Sequence, residues 1–341
     1  MNIATSSHFI NRLKLLSSFD KSSAGDGPVR RGVRKLAIAA DDAGQRIDNF
    51  LARQWRGLPR SRIYRLLRKG EVRVNGGRVK ADYRLCVGDE LRLPPVTVEP
   101  ARPGTPDRGL VDRLLGAVLY EDKRLLVVDK PSGVAVHGGS GISFGIVEAL
   151  RAGRPELKVL ELVHRLDRET SGCLVLAKKR SALRELHALF RAGSVEKVYL
   201  TLAAGDWQLG ARTVDLPLAV HRRRGGERHV QVDYDAGKPS RTRFSVQAAY
   251  GSATLLRAEP ETGRTHQIRA HAAACGHPVL GDERYGDVAA NARFAKLGLR
   301  RLFLHAQSIG FVDANGNDRL FIAPLPDELD AVLARLGERR S

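Results

Sequence analysis

Residues 164–172, with the sequence HRLDRETSG, contain a carboxylate, that of Asp167, with an arginine close by on either side. A small polar turn separates Asp167 from the apolar run of residues 173–177. An apolar run of this length after a glycine is typical of a buried strand. We therefore predict that Asp167 lies on a loop leading into a core strand, a common position for catalytic groups. Considered alone, an aspartate beside an arginine is more often a surface ion pair, and one acid does not specify a reaction.

A second stretch of interest covers residues 261–271, ETGRTHQIRAH, and is followed by His277. Three histidines within twelve residues suggest a metal site. However, their spacing lacks the HExxH pattern, in which two histidine ligands and a glutamate base lie on one helix. We instead predict a helix that begins near Thr265 and directs Arg269 toward a partner carboxylate.

The elements that must position these groups follow from the periodicity of apolar residues. A tyrosine, Tyr199, lies in a predicted strand, and a lone tyrosine on a strand is more often a core residue than a catalytic one. A glycine-rich loop after His137 lacks the nucleotide-binding glycine patterns, and we interpret it as a mobile loop near the site. The predicted elements are a buried strand at 125–128, an amphipathic helix at 181–190, a strand at 197–202 and a hairpin around 251–252.

Charge and cysteine content narrow the class of protein. With 341 residues, of which 43% are hydrophobic, the chain can form one large domain and a small one. Its formal net charge of +19 favours a polyanionic partner, a nucleic acid rather than an anionic membrane surface. The three cysteines lie far apart without a CxxC pair, so neither a disulfide framework nor a cysteine zinc site is predicted. We find neither an apolar run long enough to span a membrane nor a signal peptide, and we expect a cytoplasmic protein.

Composition divides the chain into five segments. Its first residues have too few apolar side chains to form a core, and a run of prolines before residue 107 cannot continue a helix or a sheet. The predicted segments are a disordered basic extension (1–35), a small basic domain (36–94), a Pro-rich linker (95–117), a large domain (118–330) and a C-terminal tail (331–341).

The small domain contains a strongly basic helix that ends at Gly70. Its apolar residues recur at helical spacing, and no acid interrupts its positive charges. Such a helix either contacts phosphates or is simply a solvated face. The basic residues are Arg60, Arg62, Arg65, Arg68 and Lys69.

This small domain resembles the S4 RNA-binding domain. The resemblance implies that its helix-turn-helix and the strands that follow hold structured RNA, with the five basic residues at the contact. The matching residues are 45–48 (QRID), 58–61 (LPRS), 66–72 (LLRKGEV), 74–76 (VNG) and 87–90 (VGDE).

The large domain resembles the RluA family of pseudouridine synthases. The resemblance is carried by residues 162–172, 197–199 and 263–271, which occur in the family's order. Accessory stretches point to the members that act on large-subunit ribosomal RNA; these are 129–133, 136–141, 177–183 and 237–240. The implied fold is α+β, with a mixed, largely antiparallel sheet and a cleft across it.

The resemblance implies that selected uridines are isomerised to pseudouridine without a metal or cofactor. Asp167 corresponds to the catalytic carboxylate, and Arg269 to the partner that stabilises and orients its charge. Tyr199 matches the family's tyrosine that stacks on the extruded base. Arg165 matches the residue that enters the gap left by that base, since guanidinium planes stack on bases. The expected partner is large-subunit ribosomal RNA, before or during ribosome assembly, and we expect a monomer that does not bind membranes.

Two other functions stay open at this point. A non-catalytic RNA-binding or ribosome-assembly factor would share the charge and the S4-like domain. A base-excising glycosidase would also use a carboxylate near C1′, but it needs a second carboxylate or a positioned water. The sequence leaves open whether Asp167 attacks C1′, adds to C6 of uracil or removes the 2′ proton.

Overall fold

The computed structural model describes residues 29–55, 57–98, 106–138, 144–222 and 228–338. Contacts between Cα atoms divide the chain into two compact units, residues 1–102 and 103–341. Within the described ranges, no helix is both long and apolar enough to cross a bilayer.

The first unit packs two helices against a three-stranded antiparallel sheet of order β2-β4-β3. Its core combines the apolar faces of α1 and α2 with Trp55, and Gly70 ends α2 in the left-handed conformation at φ 71°, as predicted. The elements are β1 (Val29–Arg31), β2 (Arg34–Ala37), α1 (Ile47–Gln54), α2 (Arg60–Lys69), β3 (Arg73–Val74), β4 (Glu90–Leu93) and β5 (Val96–Val98).

The segments predicted to lack structure are partly ordered. β1 and the start of β2 lie inside the predicted extension (1–35), whose prediction is wrong there, because β1 pairs in antiparallel fashion with β5. Composition could not reveal this pairing, since the partner strand lies in the predicted linker. Residues 1–28 are outside the described residues.

The linker prediction (95–117) is also wrong at both ends, because β5 opens it and α3 (Arg108–Gly116) closes it. The side chain of Asp107 caps α3 by accepting a hydrogen bond from the amide of Leu110, and Leu114 is fully buried in the second unit. The last proline of the run precedes the cap, where it does not obstruct the helix. Residues 99–105 lie outside the described residues.

One large sheet organises the second unit, and in the described residues it contains ten strands in the order β11-β14-β15-β10-β16-β9-β7-β6, with β17 beside β16 and β8 beside β9. All neighbours are antiparallel except β16 and β9, which run parallel. The predicted mixed, largely antiparallel α+β architecture is therefore confirmed.

The strands of the second unit are β6 (Val118–Glu121), β7 (Leu125–Lys130), β8 (Glu161–Leu162), β9 (Ser171–Ala177), β10 (Glu196–Ala204), β11 (Arg212–Asp215), β12 (Leu218–Arg222), β13 (Arg228–Val232), β14 (Arg241–Ala249), β15 (Ala253–Pro260), β16 (Leu304–Val312) and β17 (Asp318–Ile322). Its further helices are α4 (Ile146–Gly153), α5 (Arg180–Ala192), α6 (Gln267–Ala274), α7 (Val288–Ala295) and α8 (Asp327–Glu338). The predicted β14–β15 hairpin and the amphipathic helix α5 are confirmed.

Both faces of the sheet are covered near its centre, which explains the continuous apolar runs of β7 and β9. Alternate residues of these strands pack with α3 and α4 on one side and with α5 on the other. This rigid centre lies directly after the loop that carries Asp167, so the sheet anchors that loop at its C-terminal end.

Candidate active site

Asp167 lies, as predicted, on the loop between β8 and β9. The loop enters β9 through Gly172, whose φ of 112° is unfavourable for other residues. A Cβ at this position would lie 2.2 Å from the carbonyl oxygen of Ala306, so glycine also permits the close approach of β9 to β16. The glycine that ends the polar turn is therefore needed for the packing of β9 against β16.

Lys130 holds this loop from beneath. Its side chain is fully buried at the end of β7, and Nζ donates hydrogen bonds to the carbonyl oxygens of Pro131 at 2.9 Å, Arg168 at 2.9 Å and Thr170 at 2.7 Å. Burial lowers the pKa of Lys130 to about 7, and the three carbonyls stabilise the ammonium form that remains. Two of these carbonyls belong to the Asp167 loop, so Lys130 fixes its path.

The turn after Lys130 forms a second set of contacts with the same loop. The hydroxyl of Ser132 donates to the carbonyl of Glu169 at 2.7 Å. Gly133 and Arg168 exchange two hydrogen bonds, from the amide of Gly133 and from Nε of Arg168, at 2.9 and 2.8 Å. A stretch that the sequence shows only as a turn thus orders the backbone around Asp167.

Asp167 faces a cavity of about 720 Å³. This volume lies within the range of roughly 300–1,000 Å³ that is usual for small-molecule pockets. The walls combine the polar groups of Asp167, Tyr199 and Arg269 with the apolar side chains of Ile268 and Leu304. A flat, uncharged ring with a polar edge would suit these walls.

Arg269 has a different principal partner from the one predicted. Its Nε and Nη2 atoms donate to the two carboxylate oxygens of Asp282 at 2.6 and 2.7 Å. Nη1 lies 3.7 Å from Oδ2 of Asp167, a distance of electrostatic contact rather than of a hydrogen bond. The side chain of Arg269 is 6% exposed, and Asp282 anchors its guanidinium while one edge faces Asp167.

Asp282 is the carboxylate that sequence reasoning missed. Its side chain is buried, and Oδ1 also accepts hydrogen bonds from the amides of Arg284 and Tyr285. Burial by itself would raise the pKa of Asp282, but the hydrogen bond and charge of Arg269 outweigh it, and the pKa is lowered. The available sequence signal was an acid two residues after the apolar pair Val279 and Leu280, with Gly281 between them.

His266 forms the third side of the Asp167 environment. Its Nε2 lies 3.9 Å from Oδ2 of Asp167, and its Nδ1 lies 2.9 Å from the hydroxyl of Tyr285. Burial lowers the pKa of His266 to about 4 despite the negative charge of Asp167, so the ring is neutral at physiological pH. The predicted helix, α6, begins two residues later than expected, because His266 takes a left-handed conformation at φ 51°.

The three histidines of this region have different partners. His271 contacts the hydroxyl of Thr242 and the carbonyl of Leu216, and His277 contacts the carbonyl of Ala204. Each ring thus supports a separate part of the fold around α6.

Tyr199 lies on β10 and borders the cavity. Burial raises the pKa of its phenol, and the charge of Asp167 raises it further, so the hydroxyl keeps its proton. Arg165 is exposed at the edge of the same cavity. The predicted residues Arg165, Asp167, Tyr199 and Arg269 therefore line one cavity.

The predicted basic residues of the first unit all lie on α2. Arg60, Arg62, Arg65, Arg68 and Lys69 are exposed. Arg62, Arg65 and Lys69 have the spacing of one helix face, whereas Arg60 donates to the side chain of Asn49 at 3.1 Å.

Known proteins share both parts of this arrangement. Residues 124–274 match the family described as RNA pseudouridylate synthase, and residues 45–91 match the S4 domain. The chain is 50% identical to "Ribosomal large subunit pseudouridine synthase C" of Pasteurella multocida over 316 residues, which cover 92% of this chain and 97% of the relative. The protein of that name from Escherichia coli (strain K12) is 51% identical over 313 residues, covering 90% and 98%.

Two solved structures are similar to about two thirds of the chain. "Human RNA Pseudouridylate Synthase Domain Containing 4" has 27% sequence identity and a TM-score of 0.57, covering 67% of this chain and 96% of the human chain. "Human RNA Pseudouridylate Synthase Domain Containing 1" has 27% identity and a TM-score of 0.54, covering 67% and 95%.

Proposed function

This chain belongs to the RNA pseudouridylate synthase family, and we propose that it converts specific uridines of large-subunit ribosomal RNA into pseudouridine with Asp167 as the catalytic carboxylate. It is an RNA pseudouridine synthase with an S4 domain. The substrate proposal rests on relatives named for the large ribosomal subunit, which match nearly their whole length at about half identity. The role of Asp167 rests on its position in the cavity, beside a buried guanidinium and a neutral imidazole.

The reaction breaks the bond between C1′ of ribose and N1 of uracil and forms one between C1′ and C5. The proton on C5 is lost and N1 gains one, so the RNA keeps its composition. Asp167 can assist by attacking C1′, by adding to C6 or by removing the 2′ proton, and each route uses its charged form. Arg269 stabilises that charge, and its two hydrogen bonds to Asp282 hold the guanidinium in this orientation before substrate binds.

The cavity also has groups for holding the detached base. Extruding a uridine from folded RNA costs a few kcal/mol, which stacking in the pocket offsets. Tyr199 supplies an aromatic ring on one wall, and its protonated phenol can donate a proton or a hydrogen bond. Arg165, which is exposed at the rim, can occupy the space that the uridine vacates.

Excision of the base is disfavoured by the surroundings of Asp167. Of the described residues that line the cavity, the second acid is Glu261, which lies at the surface 3.6 Å from Arg241. Asp282 is occupied by Arg269. A glycosidase would need a carboxylate free to activate water.

Mapping pseudouridine in ribosomal RNA from cells with and without this gene tests the proposal. We expect specific sites in large-subunit RNA to lose the modification in its absence and to regain it on incubation with the purified protein. RNA mass should stay constant during that incubation, whereas excision would remove the base. An unchanged map, or conversion only in another class of RNA, would refute the substrate assignment.

The exposed basic residues of α2 should contribute most of the salt dependence of RNA binding. We expect the combined substitutions Arg62→Ala, Arg65→Ala and Arg68→Ala to flatten the plot of log affinity against log salt by roughly two to three units, since each phosphate contact contributes about 0.7–0.9. The single-turnover rate at saturating RNA should stay near that of the wild type, because Asp167, Tyr199 and Arg269 belong to the other unit.

The measurement is a titration of ribosomal RNA fragments at several salt concentrations. Arg53→Ala is a matched control, because the guanidinium of Arg53 is engaged with Asp42 at 2.7 Å, and we expect it to leave the slope unchanged. A wild-type slope for the triple variant would mean that these three arginines are only solvated.

A further inference from the structure

Tyr285 lies behind the active site and contacts several of its polar groups without lining the cavity. Its ring stacks on His229 with centroids 5.1 Å apart, and the Cζ atom of Arg269 lies 5.1 Å from its centroid. Its amide donates to Asp282 at 3.1 Å. The ring is thus held from two sides, and the position of its hydroxyl is well determined.

The hydroxyl connects a strand to a catalytic-site histidine. The backbone amide of Val230, on β13, donates to the Tyr285 oxygen at 3.0 Å. The same oxygen lies 2.9 Å from Nδ1 of His266. An amide can only donate, so the single proton of the hydroxyl is available for Nδ1.

This pattern favours one of the two neutral tautomers of His266. A neutral imidazole has one donor and one acceptor nitrogen. When Nδ1 accepts from Tyr285, the hydrogen is on Nε2, and Nε2 is the atom 3.9 Å from Oδ2 of Asp167. Catalytic hydrogen bonds are often long in ligand-free structures and shorten when substrate binds.

We propose that Tyr285 is a positioning residue: its hydroxyl, held by the amide of Val230 on β13, fixes His266 in the tautomer that presents Nε2–H to Asp167. Asp167 then faces two donors, a neutral one from His266 and a charged one from Arg269. The inference rests on the proposed function of Asp167. It also explains how the Asp167 carboxylate can be oriented and still react. A neutral His266 holds it only weakly, whereas a protonated His266 would bind it more strongly.

The charges around His266 determine how pH acts on this arrangement. Asp167 favours the protonated ring, whereas burial and two arginines oppose it. A hydrogen bond donated to the neutral ring opposes protonation further. The groups that face His266 are Asp167 from the β8–β9 loop, Arg269 from α6, and Asp282, Arg284 and Tyr285 from the loop after α6, with His229 of β13 behind Tyr285.

Tyr285→Phe removes the hydroxyl but keeps the ring between His229 and Arg269. We expect the single-turnover rate near neutral pH to fall roughly tenfold, which corresponds to the loss of one orienting hydrogen bond. RNA affinity should be unchanged. The acid limb of the rate profile should move to higher pH, because the lost hydrogen bond no longer disfavours the protonated imidazole. An unchanged rate and acid limb would overturn the proposal.

Two further variants separate positioning from general structural damage. Tyr120→Phe removes a hydroxyl of the same unit that donates to Asp122 at 3.0 Å outside the cavity, and it should react at the wild-type rate. His266→Gln offers an N–H to Asp167 without a tautomer to select. In the His266→Gln background, Tyr285→Phe should lower the single-turnover rate by less than about twofold, as expected when Tyr285 acts through His266. An equal loss of rate from Tyr285→Phe in the wild type and in His266→Gln would contradict the proposal.

The tautomer can be measured without any reaction. Nitrogen-15 shifts of the histidine rings, with the His266 signal assigned from its absence in His266→Gln, should show hydrogen on Nε2 in the wild type and a mixture in Tyr285→Phe. Hydrogen on Nδ1 in the wild type would overturn the inference. Because this readout needs no RNA, failure of the inference is distinguishable from failure of the proposed function.

Discussion

Replacing Asp167 with asparagine is expected to reduce the single-turnover rate of pseudouridine formation by at least about a thousandfold, because the other acid among the described residues that line the cavity, Glu261, lies at the surface beside Arg241. Asparagine keeps the size and most of the polarity of the side chain, and the loop around it is held by backbone contacts of Lys130, Ser132 and Gly133. RNA affinity should therefore stay within about twofold, because the phosphate contacts that dominate it are unaffected. The measurement is a single-turnover assay with excess enzyme, paired with a binding titration.

Glu169→Gln is the matched control for this experiment. It removes one negative charge from the same loop, but Glu169 is exposed and does not line the cavity. We expect a rate close to that of the wild type. Substantial isomerase activity in Asp167→Asn, or an equal loss in Glu169→Gln, would show that the chemistry does not depend on the Asp167 carboxylate.

Arg269→Ala is expected to affect both catalysis and stability. It leaves the buried carboxylate of Asp282 without its partner, which typically costs about 3–5 kcal/mol of unfolding free energy near neutral pH. It also removes the positive charge beside Asp167, so turnover should fall by more than affinity. Arg269→Lys keeps the charge but loses the planar fork that binds Asp282 through two hydrogen bonds, so we expect only partial recovery of both properties.

The pH dependence of stability provides a check with a definite sign. In the wild type the pKa of Asp282 is lowered, so the stabilisation from this pair is present above the unfolded value of about 3.9 and is lost as pH falls through the lower folded value. In Arg269→Ala the unpaired, buried Asp282 should have a raised pKa instead. The stability deficit of Arg269→Ala relative to the wild type should then shrink as pH falls toward 4, because Asp282 in the folded variant takes up a proton. A deficit that is constant with pH would place the cause elsewhere.

Stability and catalysis can be separated in the double variant Arg269→Met with Asp282→Asn. The amide oxygen can still accept from the backbone amides of Arg284 and Tyr285, and no buried charge is left unpaired. We expect most of the unfolding free energy to return, because replacing a buried ion pair with uncharged groups often changes stability little. The slow rate should persist. If the rate recovered together with stability, Arg269 would have only a structural role.

Features that depend only on neighbouring residues of the chain were predictable from residue types alone. The apolar run after Gly172 indicates the core strand that follows Asp167, helical spacing indicates α2 and α5, and the placement of basic residues indicates an exposed positive face. Each of these features depends on local periodicity, which the backbone imposes over a few residues. The roles of Asp167, Tyr199 and Arg269 came from the resemblance of longer stretches to a family, and residue types alone left them open.

The contacts that hold the site together depend on segments far apart in the chain. The sequence places Lys130 in a turn after the strand predicted at 125–128, and only the pairing of β7 with β9 brings its ammonium beneath the Asp167 loop. Asp282 and Tyr285 lie in a loop after α6. Because that loop folds back on the helix, Asp282 meets Arg269 and Tyr285 meets His266. Hydrogen bonds and ion pairs of this kind require specific distances and directions, which residue types do not encode, so tertiary packing alone decides which donor meets which acceptor.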